Sequence, residues 1–322
     1  MRRSRTLVLG ATILAMAMVA VACSSGGDDT SGTPTGSAGG GTIASQLTLG
    51  GPPECPDRPF CIPGLKDTYG IEFADFKPLD VGGPQTVAAL QSGQIDVGLL
   101  FSTSSVIAAN GWVVLEDDKH LQSTENIAPV IRTEVLNDEI AGILNAISAA
   151  VDSTTITELN KRVEIDKEDS DAVAGDFLQQ QGLLPSGGNG DGTTLTVGVS
   201  GAFAENQIMA EMYAQALEAA GYTVNRELDL ASREVSDKAL TSGKIDIKPE
   251  YLSSELLFLD PNATASGDPA QVVADLTPLL KKNGVTLLDY APANDQNSFV
   301  VTGETASTYG LATTSDLAKP AP

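Results

Sequence analysis

Chemistry in a protein needs nucleophiles, bases or ligands spaced so that they can meet, and this chain is short of most of them. Its 322 residues include three cysteines and one histidine. That histidine, His120, sits in the charged run Glu116-Asp117-Asp118-Lys119-His120, which reads as a polar turn. A Ser-His-Asp arrangement is therefore not expected, and the G-x-S-x-G, H-E-x-x-H, P-loop and C-x-x-C patterns are absent from the sequence. Carboxylates are plentiful, 42 against 19 lysines and arginines. Asp117-Asp118, Glu168-Asp169 and Asp171 read as solvated loop or helix-end residues rather than a general acid and base. The expectation is binding rather than catalysis, with no metal and no cofactor.

The three cysteines have different readings. Arg2, Arg3 and Arg5 precede an apolar stretch from Leu7 to Ala22, which ends abruptly at Cys23. This is the pattern of a secretory signal over residues 1–22, too short and wrongly flanked for a spanning helix. Ala20-Val21-Ala22 before Cys23 predicts cleavage there and a lipid on the Cys23 thiol. Residues 23–45 are rich in Ser, Gly and Thr, so a flexible tether is expected. The remaining pair, Cys55 and Cys61, is most simply a local disulfide in an oxidising compartment. A metal site is the competing reading, and His120 makes a poor partner for it.

Charge narrows the partners. Loss of the three signal arginines takes the formal charge from -23 to -26. Such a surface repels nucleic acid and anionic headgroups and suits a cationic or zwitterionic solute. Membrane contact is expected through the lipid anchor alone.

The elements that must position a binding site come from an internal repeat. Ala89-Leu90-Gln91-Ser92-Gly93-Gln94-Ile95-Asp96-Val97 matches Ala239-Leu240-Thr241-Ser242-Gly243-Lys244-Ile245-Asp246-Ile247. Upstream, Leu47-Thr48-Leu49-Gly50 matches Leu195-Thr196-Val197-Gly198 in the same order. A period of about 150 residues implies two similar lobes rather than a solenoid. In the second copy a strand, Leu195 to Val199, leads into a helix with Ile208, Met209, Met212, Ala216, Leu217 and Ala220 on one face, stopped by Gly221. A strand over 223–230, a helix from Arg233 to Leu240 and a strand at 245–247 follow. This alternation predicts an α/β fold with two lobes, each a mostly parallel sheet with flanking helices, and a ligand beyond the carboxyl ends of the strands. The run 185–192 follows a helix and opens a strand, so it reads as a linker and not a phosphate loop.

Several stretches resemble substrate-binding proteins of glycine betaine/choline (osmoprotectant) ABC transporters. They are Leu49-Gly50-Gly51-Pro52-Pro53-Glu54-Cys55-Pro56 with Arg58-Pro59-Phe60-Cys61, Pro63-Gly64-Leu65-Lys66, and Ile95 to Thr103. Val114 to Lys119, Pro249-Glu250-Tyr251 and Ser315-Asp316-Leu317-Ala318-Lys319 complete the set. The resemblance implies a periplasmic-binding-protein-like (type II) fold. It also implies delivery of a small quaternary amine or related zwitterion to a permease, by a monomer on the outer face of a bacterial membrane. The order of segments departs from the family: its second half comes first (46–184), then the Gly-rich linker, then its first half (193–319). A circular permutant is therefore expected. Lobe 2 would comprise 46–112 plus 302–322, and lobe 1 would run from 113 to 301, with the joining linker 185–192 inside it.

Family members hold the ammonium in an aromatic box and meet a carboxylate with basic and hydroxyl groups. Carried over, the resemblance makes Tyr251 a box ring, Ser254 a hydroxyl for the carboxylate, and Arg58 the carboxylate-binding arginine of the Cys55–Cys61 loop. Ser200, Ser102, Thr103 and Asn297 join the ligand-binding set. Gly201 stands where many members have lysine, and Glu125-Asn126 where others have tyrosine. Trp112 is expected near a hinge. Most of the aromatic box is thus missing, and a polar site around Tyr251, with Asp295 or Glu125 near the cation, is expected instead. The alternatives are a receptor for another polar amine or amino acid, or a sensor or scaffold lipoprotein that kept the fold without transporting.

Overall fold

The computed structural model describes residues 41–80, 82–190, 192–201 and 203–322. The signal peptide, Cys23 and most of the expected tether lie outside the described residues. The tether's last residues belong to the body: Ile43 and Ala44 are buried, and the Ile43 amide donates to the Lys319 carbonyl.

Among the described residues, ten strands form two five-stranded sheets. In the first, β1 (Thr48–Gly51) lies between β2 (Asp75–Pro78) and β3 (Val97–Phe101), and β10 (Asn297–Val301) joins β3 to β4 (Val113–Val114). In the second, β6 (Thr194–Ser200) lies between β7 (Thr223–Leu230) and β8 (Ile247–Tyr251). There β5 (Ile127–Arg132) joins β8 to β9 (Val285–Leu287). One strand in each sheet, β10 and β5, runs antiparallel to both of its neighbours. The other pairings are parallel. Each antiparallel strand directly follows a crossing between the lobes, so the chain enters it from the cleft end. Val113–Val114 and Asn297–Val301, expected in lobe 1, hydrogen-bond into the first sheet instead. Apolar patterning marks a strand but does not say which sheet will pair with it.

The sequence repeat has a physical cause. Asp96 accepts from the Thr48 amide at 2.8 Å, and Asp246 accepts from the Thr196 amide at 2.8 Å. Each aspartate thereby staples the first parallel strand of its lobe to the third. A Cβ on Gly50 would lie 2.5 Å from Ile95 Cδ1, and one on Gly198 would lie 2.6 Å from Ile245 Cγ2. The paired glycines and isoleucines therefore fit each other as a set in both lobes. Gly93 and Gly243, at φ +67° and +74°, make the matching left-handed turns.

The helix predicted from its apolar face spans Ala204–Ala219, with Ile208, Met209, Met212, Ala216 and Leu217 fully buried. It packs against the second sheet and the helices Asp138–Ala150, Ser153–Glu164 and Ser170–Gln181. Among the described residues, no single helix is long and apolar enough to cross a membrane. Cys55 and Cys61 are joined as a disulfide and are buried.

Candidate functional site

The carboxyl ends of the parallel strands of both lobes converge on a cavity of about 220 Å³. Phe101 ends β3 on one side and Tyr251 ends β8 on the other, while Phe203 immediately precedes the helix Ala204–Ala219. The three rings meet edge to face, Phe101 to Phe203 at 6.3 Å between centroids and Phe203 to Tyr251 at 6.2 Å. Two phenylalanines that the sequence reading did not single out thus stand beside Tyr251. Phe203 is 42% exposed, unusual for a ring that size unless it lines an opening.

Carboxylates face these rings from the hinge. Glu125 and Asp295 both line the cavity and lie on the two crossing segments, which pair through the bridge Asn126–Asn294. The Asp295 amide donates to the Glu125 carbonyl at 3.1 Å. Ser254, expected to reach a ligand, lines the cavity but is engaged by Glu125: its amide donates at 3.1 Å and its hydroxyl at 2.9 Å. Burial raises the Glu125 carboxyl from about 4.5 to about 7, against the lowering effect of the two Ser254 hydrogen bonds.

Behind Tyr251 lies a buried polar cluster. The tyrosine hydroxyl donates to Glu205 Oε1 at 2.8 Å, and Asn160 Nδ2 donates to Glu205 Oε2 at 2.9 Å. Thr103, on the other lobe, donates to Asp295 Oδ1 at 2.5 Å. Burial raises both Glu205 and Asp295, and the Asp295 charge raises Glu205 further, so the pair favours sharing one proton.

The other expected residues are distributed unevenly. Asn297 lines the cavity. Ser102 is nearly buried and ties β3 to the hinge, donating to the Asn294 carbonyl at 2.5 Å and accepting from the Gln296 amide at 2.9 Å. Ser200 ends β6, where its carbonyl accepts from Asn206, and it is not among the residues lining the cavity. Arg58 is also not among them, and instead pairs loosely with Glu54 at 3.9 Å in the disulfide loop. The guanidinium that does reach the wall is Arg233, which donates to Glu250 Oε1 from Nη2 at 2.9 Å. Trp112 lines a separate cavity of about 630 Å³ beside the hinge.

One consequence is a pH dependence. A carboxyl raised on folding contributes stability below its unfolded value near 4.5 and loses that contribution as pH rises through its folded value, here about 7. Thermal melts of the unliganded protein are expected to fall between pH 5 and 8. Glu125→Gln should flatten that slope, and an unchanged slope would remove Glu125 as its source.

Two lobes with a ligand-sized cavity where their strand ends face each other, and a paired hinge beneath, form the body plan of a solute-binding protein. The chain belongs to the family described as the substrate binding domain of ABC-type glycine betaine transport systems, whose model matches residues 40–180 and 193–322. It is 34% identical over 144 residues to a glycine-betaine-binding protein of Pseudomonas aeruginosa, covering 44% of this chain and 46% of that one. Identity to the glycine betaine-binding protein YehZ of Escherichia coli is 28% over 133 residues, 39% of this chain and 44% of the other. The carnitine transport binding protein OpuCC of Listeria monocytogenes is 27% identical over 114 residues, covering 35% and 36%. The chain thus spans less than half the length of these curated relatives. Among solved structures, the L-cystine solute receptor of Neisseria gonorrhoeae superposes with a TM-score of 0.42 at 14% identity, covering 85% of this chain and 87% of that one.

Proposed function

We propose that this chain is an extracytoplasmic receptor, held at the membrane by a lipid on Cys23, that delivers a small quaternary amine or related zwitterion to an ABC permease. The observation that carries the reading is the wall of Phe101, Phe203 and Tyr251 facing Glu125 and Asp295. Ring faces attract a desolvated ammonium by roughly 0.5–2 kcal/mol each, and a nearby carboxylate adds charge pairing. Arg233 is the wall group suited to a ligand carboxylate. Because Glu125 and Asp295 sit on different crossing segments, a cation between them favours the arrangement that brings the lobes together. The closed form is then what the permease recognises.

The permuted order of segments is part of the same proposal. The family matches fall on either side of residues 181–192, and the two sheets share one strand order. The Ala321 amide donates to the Gly41 carbonyl at 2.8 Å, so the segments that would be continuous in the unpermuted order are already adjacent.

Isothermal titration against glycine betaine, choline and carnitine is the direct test, with Trp112, the only tryptophan, reporting hinge movement by fluorescence. Micromolar binding of at least one is expected. No heat and no fluorescence change with any of them would overturn the proposal.

A further inference from the structure

The lobe built on the second sheet holds a buried charge network that meets the cleft only through Arg233. Lys248, on the central strand β8, is 1% exposed and forms ion pairs with Asp237 and with Glu250, the latter at 2.7 Å. Glu250 is fully engaged, since Arg233 donates to its other oxygen. Glu255 is also buried, yet its Oε2 accepts no hydrogen bond; Arg233 Nε is 3.7 Å away and Lys248 Nζ 3.9 Å. Asp237 Oδ2 is likewise buried without a hydrogen bond. Three carboxylates thus meet two cations, and the excess negative charge falls on two oxygens without donors. Burying such an oxygen is costly unless a proton or a cation supplies the missing partner.

Asp237 and Glu255 also line a cavity of about 320 Å³ between the helices Arg233–Thr241, Leu252–Leu259 and Pro269–Lys282. Its lining includes Thr241, Leu259 and Asn283, residues at the carboxyl ends of these three helices, where the helix dipoles are negative. The remaining wall is largely apolar, with Leu240, Leu280 and Val285 inside and Phe258, 37% exposed, available to cover a stem. Glu234 and Lys238 are the other charged groups of the lining. The three carboxylates are close enough to hold a metal ion, but the Lys248 ammonium already pairs with two of them. The shape and polarity suit an organic cation on an apolar stem, and a planar guanidinium can bridge two carboxylate oxygens.

We propose that this cavity is a second ligand site, separate from the cleft, that takes a free alkylguanidinium between Asp237 and Glu255. In the empty protein a proton takes that role, since burial pushes Glu255 up to about 8 against the pull of Lys248. Binding therefore strengthens as pH rises through that range, with release of a proton.

The test is titration of the full chain with n-butylguanidinium at pH 7 and pH 9. One site is expected, tighter at pH 9, weakened at least tenfold in Glu255→Gln, and kept in the cleft variant Tyr251→Ala. Lys238→Ala should tighten it by removing a like charge. Thr241→Trp, which puts an indole into the cavity and keeps both carboxylates in the chain, should abolish binding, so the test holds even where Glu255→Gln fails to fold. Absence of binding, wild-type affinity in both Glu255→Gln and Thr241→Trp, or loss in Tyr251→Ala would overturn the second site. The last outcome would place the probe in the cleft, and the proposed function would stand.

Discussion

Replacing Lys248 with methionine is expected to destabilise the protein by roughly 3–5 kcal/mol, because removing one partner of a buried ion network leaves the others uncompensated. Methionine matches the lysine stem in length and preserves packing, so the loss comes from charge. Asp237 and Glu250 lose their ammonium partner, and Arg233 alone remains among three buried carboxylates. Glu250 is most affected: it is buried, yet Lys248 and Arg233 hold it down to about 2. At roughly 2–4 °C per kcal/mol for a body of this size, the melting temperature should drop by roughly 6–20 °C. Adding Asp237→Asn and Glu255→Gln to Lys248→Met should recover most of the loss. A single variant that melts like the wild type would show that these carboxylates are already protonated and that the lysine offsets no charge.

Tyr251→Ala is expected to weaken binding of a quaternary amine by roughly 30- to 150-fold, about 2–3 kcal/mol. Part is the lost ring face and the edge contact with Phe203 at 6.2 Å. The rest follows from Glu205, which loses the hydroxyl donating to its Oε1 at 2.8 Å and has Asn160 on the other oxygen. Tyr251→Phe separates the two effects, since it keeps the ring and removes only the donor. It should retain most of the affinity while raising the pH at which the Glu205–Asp295 pair loses its proton. Titration of both variants with the ligand that binds wild type most tightly checks this, together with their pH profiles. Equal losses in both would assign the whole effect to the hydroxyl and none to the ring.

Sequence patterning reached far into the fold. The apolar face ending at Gly221 marked the helix Ala204–Ala219 to within a residue or two. The matched Gly50/Ile95 and Gly198/Ile245 pairs pointed to two lobes, because a close strand-to-side-chain fit is a short-range requirement that both copies had to meet. Of the residues that line the cavity between the lobes, Tyr251, Asp295, Asn297, Ser254 and Glu125 were singled out from the sequence. Phe101, Phe203 and Arg233 were not. Phe101 stood in a recognised stretch and Phe203 followed a strand, but nothing local says that rings about 100 residues apart will touch. Lys248 would pass for a surface charge, and only its place on a central strand buries it.

The opening features, few catalytic groups and many carboxylates, were set by sequence alone. Composition and spacing sufficed to predict two α/β lobes and the Cys55–Cys61 pairing. Helical and strand periods and a six-residue cysteine separation are local properties of a chain. Tertiary structure decided which neighbours those carboxylates meet. Glu125 and Asp295 meet the rings because the two crossing segments pair at the hinge, and Glu255 is left without a donor because two cations are shared among three acids. Arg58 stays in its own loop while Arg233 reaches the wall. These outcomes depend on burial and on distances across the fold, and neither is encoded in the spacing of residues along the chain.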